Sequence, residues 1–113
     1  IRMSQPQIAA LVYCPFPDRE AAKQAAEILL GESLIGCANV IGPMESVFRW
    51  KEQTQTSEEV GVLFKTNSAM LDTLINRIGE LHPFDTPAIL GMKCDGAHSA
   101  TLSWLAELSP EDM

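Results

Sequence analysis

Two side chains of this sequence have the chemistry to hold a soft metal ion, the Cys14 thiol and the His82 imidazole. Cys14 closes the apolar run "IAALVYC" just before Pro15, where a strand gives way to a loop. Loop mouths of that kind often face ligands, and a thiolate suits Cu(I). Free cysteine also behaves as a small buried hydrophobe, so the position fits either role. His82 opens "HPFDTP". A neutral imidazole is a common metal ligand, and at a helix end it also meets carbonyls and the negative end of the helix dipole. Met44 offers a thioether, or fills the corner around Gly42 and Pro43. A stable zinc site takes four ligands. Cys14 and His82 alone fall short of that, which leaves a weak, thiol-dependent Cu(I) site or a site shared between subunits.

A second group lies on strand-like pieces. In "SVFRWKE" a period of two puts Ser46, Phe48 and Trp50 on one face, with Arg49 and Lys51 on the other. In "EEVGVLFK" it puts Val60, Val62 and Phe64 on one face and Glu59, Gly61, Leu63 and Lys65 on the opposite one. Glu59 and Lys65 are separated by roughly 20 Å of straight strand, so they cannot pair with each other. They are either solvated strand-end charges or partners for neighbouring chains. Glu58 and Glu59 point to opposite faces and make no acid/base dyad. The sequence contains no G-x-S-x-G, no glycine-rich phosphate loop and no H-x-x-x-H, and His82 and His98 are its only histidines. No catalytic residue is assigned.

The chain of 113 residues suits one domain, and 46% hydrophobic residues supply a core. A net charge of -7 with eight basic residues disfavours nucleic acid and anionic membrane surfaces as partners. No apolar run is long enough to cross a bilayer as a helix. Cys14, Cys37 and Cys94 are an odd number without C-x-x-C spacing, which points to reduced thiols and a cytoplasmic setting. Ile1-Arg2 ahead of Met3 reads as a cloning remnant, with residues 1–7 expected to be flexible.

The elements that must position these residues are short. "IAALVYC" predicts a buried strand bounded by Pro15. Asp18 caps a helix with Ala22, Ala25, Ala26, Leu29 and Leu30 on its inner side, ending near Gly36. "CANVI" and "SVFRWKE" read as two strand pieces around a Gly-Pro turn, and "EEVGVLFK" as a third strand. Thr66 or Ser68 caps a second helix carrying Leu71, Leu74, Ile75, Ile78 and Leu81, which Pro83 stops. "AILGMKC" predicts a last core strand, Asp95-Gly96 a turn, and "SATLSWLAEL" a closing helix. The order βαββαβ plus a C-terminal helix is the split βαβ, ferredoxin-like plan of an α+β domain.

"CANVIGPMESVFRWKEQTQTSEEVGVLFKT", followed by "HPFDTP" and "LSWL", closely resembles the CutA family, the divalent cation tolerance proteins. The likeness runs from "LVYC" to "LSWL", and the combination of C-x-N, S-x-aromatic-x-W, E-x5-KT and HP-aromatic-x-x-P is specific. It implies a ferredoxin-like protomer in a homotrimer of PII-like architecture, and binding of copper or another divalent metal. It supplies no settled catalytic activity. It also implies that Phe48, Trp50, Glu59, Lys65 and Phe84 line a ligand-binding cleft between subunits. The chain departs from the family at Phe48 and Phe84, where Tyr is usual, at Lys51, where Gly is usual, and at Ala88, where Glu is usual. Leu81 stands where some relatives have a second His.

Self-association has a physical reason of its own. A small sheet covered by two helices on one face leaves the other face open, and "SVFRW" and "EEVGVLF" put large apolar side chains on it. A trimer closed by rotational symmetry would cover them. Two functions of different class compete: binding of a metal ion or small ligand at the clefts between subunits, and a scaffold that presents surfaces to a protein partner. A hydrolytic or transfer enzyme using Glu59, Lys65 and His82 is a third.

Overall fold

A computed structural model of the chain describes residues 8–109. The apolar run from Ala9 folds as β1 (Ala9–Phe16), whose Val12, Cys14 and Phe16 alternate into the core and are fully buried. Pro15 does not bound the strand, as the sequence suggested, but lies inside it. β4 pairs β1 only as far as Tyr13, opposite Leu90, so a residue without an N–H costs no ladder bond on that side of Pro15. The expectation for residues 1–7 lies outside the described residues.

α1 (Arg19–Gly31) starts as predicted, with Asp18 Oδ1 accepting from the Ala21 N–H at 2.8 Å. It ends at Gly31, not Gly36. Ser33 takes a left-handed φ of 60°, and the Leu34 N–H reaches back to Leu29 O at 3.0 Å, so that Leu34 and Ile35 enter the core. Ala22, Ala25, Ala26 and Leu29 face the sheet as expected, whereas Leu30 turns outward and is exposed. Gly36 has another role. A Cβ there would lie 2.9 Å from the Trp104 ring, so glycine lets the last helix pack close.

β2 (Cys37–Trp50) and β3 (Gln53–Asn67) form one long antiparallel hairpin. The predicted Gly-Pro turn is instead a bulge within a single strand. Ile41 pairs Gly61 and Met44 pairs Glu59, so Gly42 and Pro43, joined by a cis peptide bond, together oppose Val60. The hairpin reverses at Lys51 and Glu52, both with left-handed φ (51° and 67°).

Asn67, not Thr66 or Ser68, holds the start of α2 (Leu71–Leu81): its Oδ1 accepts from the Met70 N–H at 3.1 Å. The fully buried amide also donates to Leu105 O at 2.7 Å, tying α2 to the closing helix. Thr66 donates to Leu34 O, and Ser68 accepts from the Ile8 N–H. Leu71, Leu74 and Ile78 are buried, with Ile75 and Leu81 half-buried beside them.

β4 (Leu90–Lys93) is a four-residue edge strand, not the core strand expected, and its Leu90 is 61% exposed. Gly91 faces the helices, where a Cβ would lie 2.8 Å from Ile75. α3 (Ser99–Ala106) closes the chain. The sheet order is β2-β3-β1-β4 with every neighbour antiparallel, the ferredoxin-like arrangement. α1 and α2 cover one face, and the core lies between them and the inward rows of β1 and β3. The other face carries Leu11, Tyr13, Leu63, Leu90 and Met92 without a covering element among the described residues. No described helix is long and apolar enough to cross a membrane.

Candidate functional site

The bulge builds the site. A strand side chain changes face at every residue, so one extra residue inverts the pattern beyond it. Ile41 shares the open face with Gly61; after Gly42 and Pro43, that face is taken by Met44, Ser46, Phe48 and Trp50, in line with Glu59. Gly42 makes this feasible, with φ of +151° and a Cβ position only 3.1 Å from Val60.

The second wall comes from the loop after α2. His82 ends that helix, with its N–H on Ile78 O at 2.9 Å. Its ring then ties two segments together. The Phe84 N–H donates to Nδ1 at 3.1 Å, which makes Nδ1 the bare nitrogen. Nε2 therefore carries the proton and donates it to Pro15 O at 2.8 Å. The ring sits against Phe16 and Phe84, at centroid distances of 4.5 and 4.8 Å. Phe84 is thereby carried to the open face beyond the end of β1.

Between the two walls lies a cleft of about 300 Å³, lined by Pro15, Ser46, Phe48, Trp50, Glu59, Phe84, Thr86 and Ala88. A hollow of about 390 Å³ adjoins it and shares Phe48, Trp50, Phe84 and Thr86, adding Pro83 and Asp85. Four of the five residues expected at a ligand cleft, Phe48, Trp50, Glu59 and Phe84, thus meet within one protomer. Lys65 does not join them. It stands at the far end of the open face, across from Leu11 and Cys37.

Cys14 and His82 meet at one atom, since the Cys14 thiol also reaches Pro15 O, at 3.5 Å. Neither is set up to ligate a metal there. Both ring nitrogens of His82 are engaged by backbone, and burial, with a smaller push from the Glu59 carboxylate, raises the Cys14 thiol to about 12. Met44 Sδ accepts from the Tyr13 hydroxyl at 3.7 Å. Among the described residues no three His, Cys, Asp or Glu side chains gather as a metal site. The donor set of the described residues, within one protomer, does not fit a divalent ion.

Pro15, Ser46, Thr86 and Ala88 line the cleft beyond the residues expected there, and period two already sets Ser46 beside Phe48 and Trp50. Pro15 carried a signal, because a proline has no N–H and leaves only a carbonyl to satisfy. Thr86 carried none. Arg19 approaches Glu58 and Glu59 across a neighbouring crevice, but its guanidinium donates to Gly42 O.

The family model described as CutA1 divalent ion tolerance protein matches residues 10–108. A divalent-cation tolerance protein CutA of Pyrococcus horikoshii is 38% identical over 97 residues, covering 86% of this chain and 94% of its own. Protein CutA 1, chloroplastic, of Oryza sativa is 31% identical over 89% of this chain, which spans 57% of that longer relative. The crystal structure of divalent ion tolerance protein CutA1 from Ehrlichia chaffeensis superposes with a TM-score of 0.86 at 29% identity, covering 92% of this chain and 97% of that one.

Proposed function

The chain belongs to the CutA1 divalent ion tolerance family, and from that premise we propose that it acts as a trimeric binding protein whose small ligand occupies the cleft between β2 and the loop after His82. The observation that carries the reading is the bulge at Gly42 and Pro43, which turns Phe48 and Trp50 onto the same face as Glu59 and opposite Phe84. A pocket of this volume, mostly apolar with one convergent charge, suits a small organic molecule. The cleft opens on the sheet face where Leu90 and Met92 are 61% and 45% exposed. Surface of that kind favours burial against further copies, which would add a wall to the cleft. Three unpaired thiols suit a reducing, cytoplasmic compartment.

Binding without turnover fits the side chains present. His82 has no nitrogen left to take a proton from a ligand, and Glu59 has no second acid or base beside it in the cleft. A fragment screen read by amide chemical shifts tests the reading. Shifts should gather at Phe48, Trp50, Glu59 and Phe84 and disappear in Trp50→Leu. Shifts gathered elsewhere, or none with any fragment, would leave the cleft without a ligand and favour a scaffold for a protein partner.

A further inference from the structure

We propose that the ligand of this cleft is a small organic cation, a quaternary ammonium or a protonated amine, held on the rings of Phe48, Trp50 and Phe84 with the Glu59 carboxylate as its counter-charge. The inference rests on the cleft reading above and names its ligand class. Every charged side chain lining the cleft or its adjoining hollow is a carboxylate, Glu59 in the first and Asp85 in the second. From this protomer's walls an anion would meet repulsion and no cation. Ion pairs among the described residues involve only Arg77 with Glu32 and Glu80, and Arg19 bonds Gly42 O, so within one protomer Glu59 has no ion-pair partner.

A neutral apolar ligand would strip water from that carboxylate and return nothing to it, which is costly. An inorganic divalent ion would exchange its water for one carboxylate and the Ser46 and Thr86 hydroxyls, fewer oxygen donors than the roughly six or more it takes. An organic cation meets both requirements. Its charge is diffuse and weakly hydrated, ring faces attract it, and a partly enclosed site strengthens the attraction. The rings are available for such contact: Phe48, Trp50 and Phe84 remain 40%, 46% and 43% exposed. The net charge of -7 adds a long-range field of the right sign. His82 is the positioning residue, because its bond from the Phe84 N–H fixes where the third ring stands.

Choline and its uncharged isostere 3,3-dimethylbutan-1-ol separate charge from shape. Titrations of the assembled protein by calorimetry, with amide shifts to locate binding, should show choline at least tenfold tighter than the alcohol. The preference should collapse in Glu59→Gln, which keeps the shape of the side chain, and choline should weaken as salt rises. Phe84→Leu should weaken choline more than the alcohol. Equal binding of the two probes at these residues would overturn the cation inference and leave the cleft reading standing. A preference that survives in Glu59→Gln would also overturn it. If neither probe shifts any cleft residue, while a neutral or anionic fragment does, the ligand class is wrong. If nothing binds there at all, the cleft reading falls with it.

Discussion

His82 Nε2 lies 2.8 Å from Pro15 O, a contact across 67 positions of sequence that joins the end of α2 to the end of β1. The same imidazole accepts the Phe84 N–H, so one ring satisfies a strand end left open by β4 and fixes the loop beyond it. It is 7% exposed, so water does not substitute for either bond.

Removing that ring should therefore cost stability and disorder the cleft. His82→Ala leaves a buried carbonyl and a loop N–H without partners and should lower unfolding free energy by about 1–3 kcal/mol. His82→Asn should recover part of the loss. Urea unfolding at fixed chain concentration measures both. An Ala variant as stable as the parent would show the ring to be incidental.

Cys14 should be inert as a metal ligand and as a nucleophile at neutral pH. Its thiol is raised from the ordinary 9.0 to about 12 by burial and then by Glu59. A raised value means that the unfolded chain loses this proton first. The contribution to stability is full below about pH 9 and is lost as pH climbs toward 12. The stability of Cys14→Ala should thus fall less steeply than the parent's across that window. Chelator competition for Cu(I) should give the parent and Cys14→Ser the same affinity. A tenfold loss in Cys14→Ser would make the thiol a ligand after all.

The hairpin turn is strained. Lys51 and Glu52 both hold left-handed φ, which costs a side chain with a Cβ roughly 1 kcal/mol per residue. Asn-Gly is the pair suited to such a turn. Lys51→Asn with Glu52→Gly should raise the thermal midpoint by a few degrees without moving the cleft. A lower midpoint would mean that the Lys51 and Glu52 side chains make compensating contacts.

Much of this was legible in the sequence because local patterns carried it. The alternation of Val60, Val62 and Phe64 and the helical spacing of Leu71, Leu74 and Ile78 are core faces in the fold, and Asp18 is a cap. The failures were tertiary. Gly36 looked like a helix stop, but its reason to be glycine is the Trp104 ring, which no local pattern announces. Local pattern favours Thr66 or Ser68 as the cap over Asn67, whose second partner, Leu105 O, lies 38 positions away. The Gly-Pro pair signalled a break, and turn or bulge depended on whether β3 was long enough to pair on both sides. At the site, period two grouped Ser46, Phe48 and Trp50 correctly. That Glu59 shares their face follows from the bulge alone, and Lys65 stays apart because strand length separates it.

The central claim is that copies of this chain meet on the open sheet face, onto which the cleft opens. Sedimentation velocity in physiological salt, from micromolar concentration downward, tests it most directly. The account predicts a particle of three chains that Leu90→Lys and Met92→Lys together dissociate while each chain keeps its fold. A parent protein that sediments as a folded single chain throughout would contradict it.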